Sequence, residues 1–135
     1  MGRDFRTPPL VPVSWGELID KITILEIKEA RITAPPALSN VRHELALLRE
    51  AASPALAEDA IAPLIDALRQ VNLTLWEIED EIRLEEARAA FGDCFVALAR
   101  AVYRTNDERS RLKRDINRLL GSALVEEKLH LASQG

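Results

Sequence analysis

The sequence predicts an all-α protein: an antiparallel hairpin of two long helices, about residues 62–90 and 93–120, packed with two N-terminal helices in a four-helix-bundle-like arrangement. Three observations predict it. Apolar residues recur at steps of three and four through most of the chain, the signature of helices with one buried face. Charged residues make up 30% of the chain and aromatics only 4%, with Ala, Leu, Glu and Arg in excess, a balance typical of helical proteins. Prolines group where the periodic segments begin and end. With 135 residues the chain fits one domain able to bury a core without disulfide or metal staples.

Residues 1–13 carry Pro8, Pro9 and Pro12, which fix φ and push their predecessors into extended conformations, so an extended N-terminal arm precedes a single helical domain over 14–131. Ser14 is placed to cap the first helix, with Glu17 three residues on able to reach back and Val13 able to staple to Leu18. In Lys21–Lys28, Ile22 and Ile24 alternate as a strand would, but Leu25 and Ile27 break the alternation. Leu18, Ile22, Leu25 and Ile32 keep helical spacing, and Ile19, Ile24 and Ile27 widen the apolar arc, as expected of a helix buried on more than one side. Pro35 and Pro36 end it at about Arg31.

Ser39 or Asn40 is placed to cap a second helix through Val41, Leu45, Leu48 and Ala52, and Ser53-Pro54 suits a cap followed by a short helical turn before Pro63 forces another start. From about Ala62 the seam Leu64, Leu68, Val71, Leu75, Ile78, Ile82 alternates steps of four and three. The stretch Leu73–Arg88 within it, around Trp76, is expected to be the spine of the fold. A second seam, Phe91, Phe95, Leu98, Val102, Thr105, Arg109, Leu112, Ile116, Leu119, is out of phase with the first. Phe91-Gly92-Asp93 therefore either turns the chain into a hairpin or lies in one continuous helix. Gly121 suits a left-handed cap, and Ser122 starts a short terminal helix using Leu124, Val125 and Leu129.

A turn centred on Phe91 sets Glu79 level with Tyr103 and Trp76 level with Asn106. One step beyond each seam runs a stripe on the same side of the hairpin: Asn72, Trp76, Glu79, Arg83, Glu86 on one helix and Ala99, Tyr103, Asn106, Ser110, Lys113, Asn117 on the other. The first helix packs over that side and brings Asp20, Lys21 or Lys28 to its edge. Arg109 interrupts the apolar seam here, and a buried guanidinium requires a carboxylate such as Glu79 or an aromatic face such as Trp76. The candidate ligand-binding set is Trp76, Glu79, Arg83, Tyr103, Asn106, Arg109 and Lys113: cations for a small anion, aromatic walls, and Glu79 as an acid or base. Because buried polar groups normally find partners, the more common arrangement of such residues is an internal network that fixes helix register.

The acid pairs Glu17/Asp20 and Glu77/Asp80 have metal-binding spacing, but no matching pair follows on the last long helix and no Glu-x-x-His motif accompanies them, so no metal and no cofactor is expected. His43 and His130 stand alone, and Cys94 has no cationic neighbour to favour a thiolate. A lone cysteine, no apolar signal core and no membrane-length run indicate a cytoplasmic protein that neither enters a membrane nor is exported. The net charge of -4, with bases interleaved among acids, gives no attraction to nucleic acid.

Three motifs, Trp15–Lys28 (WGELIDKITILEIK), Leu75–Asp80 (LWEIED) and Tyr103–Arg109 (YRTNDER), resemble a bacterial family catalogued only as a domain of unknown function. The likeness spans about residues 11 to 128 and implies a stand-alone small helical protein, with no activity or ligand attached. The sequence thus points to a non-catalytic protein-interaction or accessory module that binds a protein partner or self-associates. The alternative is a small enzyme or ligand-binding domain for an anionic metabolite, using the polar layer.

Overall fold

The computed structural model describes residues 4–122. Among them the helices are α1 (Trp15–Arg31), α2 (Pro35–Leu56), α3 (Ala62–Ala87) and α4 (Asp93–Leu120), with a single 3-10 turn, Asp59–Ile61, between α2 and α3. The expected terminal helix from Ser122 lies outside the described residues. No described helix is long and apolar enough to cross a membrane.

α1 starts where its cap predicts. The Glu17 amide donates to the Ser14 hydroxyl at 3.1 Å, answering one of the amides that a helix start leaves without a partner. Val13 stays exposed, whereas Leu18 is buried. Two further amides of the first turn are met from α4: Gly16 donates to Asn117 Oδ1 at 2.7 Å, and Trp15 to Ser122 Oγ at 3.5 Å.

α2 begins earlier and ends later than expected. Ala34 is extended, as a residue before proline should be, and Pro35 and Pro36 occupy the first two helical positions, where no amide donor is needed. Neither Ser39 nor Asn40 is the cap. Pro54 lies inside α2 and does not end it, because within the last turn a proline removes little of the hydrogen-bond ladder.

α3 and α4 form the hairpin, and the chain does turn between them. The turn opens at Ala89, which takes a left-handed φ of 52°, while the Ala90 amide reaches back to the Glu85 carbonyl at 2.9 Å. Gly92 caps α4 in an extended conformation, and the rings of Phe91 and Phe95 meet edge to face at 5.3 Å. Gly121 closes α4 at φ 63°, the Ser122 amide donating to the Asn117 carbonyl at 2.8 Å.

The central element is α1, not the Leu73–Arg88 stretch. One apolar face of α1 places Ile19 in a cluster with Leu68 and Val71 of α3 and Leu112 and Ile116 of α4. The other packs Leu18, Ile22 and Leu25 against Leu45 and Ala52 of α2. Trp15 packs against both clusters. The order is therefore α2, then α1, then the hairpin; α2 joins the hairpin cluster at its C-terminal end, through Ala55.

The packing ends partway along the hairpin. Arg31, the last residue of α1, meets Glu77 at 3.5 Å, and α1 extends no further along α3 and α4. From Trp76 to Arg109 not one residue is buried, and the seam residues Ile78, Ile82, Phe95, Leu98 and Val102 are all half-buried. The molecule is a three-layer body carrying a two-helix arm.

Candidate functional site

Helical spacing sets Gly16, Asp20 and Thr23 on the side of α1 that faces the hairpin, and the hairpin answers with polar residues at one level. Asp20 is the centre, with only 1% of its side chain exposed. Its Oδ1 accepts from Arg109 Nε at 2.9 Å and from Asn72 Nδ2 at 2.8 Å, and its Oδ2 from Arg109 Nη2 at 2.5 Å. This fork-on-fork geometry is the strongest way for a guanidinium to hold a carboxylate. Asn72 Nδ2 also donates to Thr23 Oγ1 at 2.8 Å, and the Thr23 hydroxyl donates to the Asp20 carbonyl at 2.7 Å. Lys113, nearly buried, binds Glu17 at 2.7 Å and lies 4.0 Å from Asp20.

Asn72 and Arg109 reach one carboxylate from opposite helices, so they are level, as a turn at Phe91 places them. Two carboxylates, Asp20 and Glu17, meet two cations, Arg109 and Lys113. Burying an ion is tolerable only with such neutralisation and with its remaining hydrogen-bonding positions filled. They are filled: among the described residues no buried side-chain nitrogen or oxygen lacks a partner. The chemistry available to this layer is positional: it fixes α1 against α3 and α4 at a single register.

The seven candidate residues divide between body and arm. Arg109 and Lys113 join the layer, and Asn106 supports it by accepting from Arg109 Nη1 at 3.5 Å. Trp76 and Glu79 are half-buried beyond the layer, Arg83 is exposed beside Asp80, and Tyr103 is 54% exposed. The partner of Arg109 is Asp20, and neither Glu79 nor Trp76. Hydrogen bonds from Arg104, then from Arg100, together with the Arg104 charge, hold the Tyr103 phenol below its ordinary pKa.

Asp20, Asn72, Thr23 and Glu17 are members of the layer outside the candidate set. The signal for Asp20 was its position: an acid embedded between Ile19 and Ile22 on the helix with the widest apolar arc.

Next to the layer a cleft of about 280 Å³ opens, edged by Glu17, Lys21, Lys28, Glu44 and Arg109, with Asp20 at its floor. Its acids balance its cations, so it exerts no net pull on an anion. No group of three His, Cys, Asp or Glu side chains placed to hold a metal occurs among the described residues. Cys94 is exposed in the first turn of α4, within the arm.

No curated protein and no solved structure matches the chain. A family model does, over residues 10–132, which span the polar layer and the whole arm: the chain belongs to DUF6165, a family of unknown function.

Proposed function

We propose that this protein is a non-catalytic helical interaction module whose body holds the arm rigidly for docking to a protein partner. The observation that supports it is the absence of any buried residue from Trp76 to Arg109, although this stretch carries a regular apolar seam. Two helices alone cannot bury such a seam, and apolar residues left uncovered over so long a stretch mark a docking surface. The arm also exposes Leu84, Phe91, Val96 and Tyr103, each at least half accessible. The saturated pairing of the Asp20 layer and the balanced charge of the adjoining cleft favour a structural role for that layer over binding of an anionic metabolite. The lone, exposed Cys94 suits a reducing bacterial cytoplasm as the setting.

A photo-crosslinking residue in place of Ala99 on the arm, with one in place of His43 on α2 as the control, tests the reading in cells that express the protein. Adducts from the arm position only are expected. Adducts only from the body, or stabilisation of the protein by phosphate or dicarboxylates that is lost in Lys28→Ala, would contradict it.

A further inference from the structure

The stripe that faces α1 in the body continues along the arm, where none of its residues is buried. On α3 it runs from Asn72, which binds Asp20, through Trp76, Glu79 and Arg83 at steps of four, three and four. On α4 it runs from Lys113, which binds Glu17, back through Ser110, Asn106, Tyr103 and Ala99 to Val96. The open arm surface is thus the place where a further helical layer would continue from α1.

The stripe is complementary to itself. Glu79 and Arg83 lie equally far from Glu81, and Ala99 and Tyr103 equally far from Ala101, while Glu81 and Ala101 are level across the hairpin. A two-fold axis at that level, perpendicular to the helices, therefore sets Glu79 opposite the partner's Arg83, and Arg83 opposite the partner's Glu79. It also sets the small Ala99 opposite the partner's Tyr103, a bulky ring against a position with room for it. Self-matching about one axis is the signature of an isologous contact between identical chains. The internal engagement of Arg83, an exposed contact with Asp80 at 3.3 Å, is of the weak kind that yields to a better partner.

Shape selects the direction. With both arm tips at the same end, the two α1 layers would meet on this face and hold the arms apart. With the tips opposed, each arm lies beside the end of the partner's α1. Among the described residues the arm offers a long stretch without a buried residue, from Trp76 to Arg109. A standard interface takes about 800 Å² from each partner. The described parts that leave the compact body are the extended residues 4–13 and the arm.

Resting on the reading of the arm as a docking surface, we infer that its partner is a second copy of this chain, packed tip to base through the Trp76–Glu79–Arg83 and Val96–Ala99–Tyr103 stripes.

Sedimentation equilibrium of the full chain tests the inference, and a mass of about 30 kDa, twice that of one chain, is expected at concentrations up to about 100 μM. Glu79→Arg alone and Arg83→Glu alone each set like charges opposite one another and should weaken the dimer by about 10-fold or more. The double variant Glu79→Arg/Arg83→Glu exchanges the partners and should restore it. A nitroxide on Cys94, the single cysteine, should lie about 20–25 Å from its copy in the opposed arrangement, seven helical residues to either side of the axis. Circular dichroism of each variant separates loss of association from loss of fold. A chain that stays monomeric throughout, or a double variant weaker than both singles, overturns the inference, as does a short Cys94 separation. A monomer that still gives arm-specific adducts from the Ala99 position leaves arm docking standing with a different protein. A monomer without such adducts removes both readings.

Discussion

Asp20 and Arg109 decide how α1 sits. A carboxylate with 1% exposure survives because it is held by both forks of the guanidinium and by Asn72. Removing one partner should therefore do more harm than removing both. Arg109→Ala leaves Asp20 buried without its cation and is expected to lower unfolding stability by about 3–5 kcal/mol. Replacing Asp20 and Arg109 together by leucine should recover most of that loss, as chemical denaturation can measure. Tyr103 offers an independent residue-scale test, since it is the only tyrosine and its absorbance reports one group. Its phenol is held low by Arg104 and Arg100, so it should titrate below the usual tyrosine range, and Arg104→Gln should move it upward. Because the folded pKa is lowered, the stabilisation belongs to the phenolate form. The contribution is complete above the unfolded pKa of about 10 and is lost as pH falls through the lowered folded value.

At the scale of the element, two backbone positions carry sharp consequences. A Cβ at Gly16 would collide with the Lys113 carbonyl oxygen, so α1 and α4 approach as closely as they do only because this residue is glycine. Gly16→Ala should force the helices apart and lower stability by about 1–3 kcal/mol, readable as a fall in Tm. Ala89 holds a left-handed φ of 52° where glycine is preferred, so Ala89→Gly should raise stability by about 0.5–1 kcal/mol. The start of α1 and the end of α4 were legible because Ser14 and Gly121 bound unbroken periodic runs. The limits of α2 were not, because Pro35-Pro36 serves equally as a stop for one helix and as the first turn of the next. The precise site of the turn was hidden too: an alanine rather than Gly92 takes the left-handed conformation, and nothing in local sequence marks it.

Across the whole molecule, the phase of the two long seams disclosed the hairpin and the stripe that faces α1, which led to Arg109, Lys113 and Asn106. Periodicity alone could not say where α1 ends along that stripe. The Trp76, Glu79, Arg83 and Tyr103 positions therefore looked like one layer with Arg109, when they belong to the arm. The same gap concealed Asp20 as the centre of the layer, because its partners come from two helices distant in sequence. Body and arm differ physically: the body has buried clusters and a saturated polar layer, and the arm has an apolar seam that is half covered throughout.

Amide hydrogen exchange of the full chain, measured peptide by peptide at low and high protein concentration, tests the pairing of two copies through the arm most directly. Peptides within 76–109 should gain protection as concentration rises while those of α1 stay unchanged. Protection that instead appears around Lys21, Lys28 and Glu44, or nowhere, would contradict it.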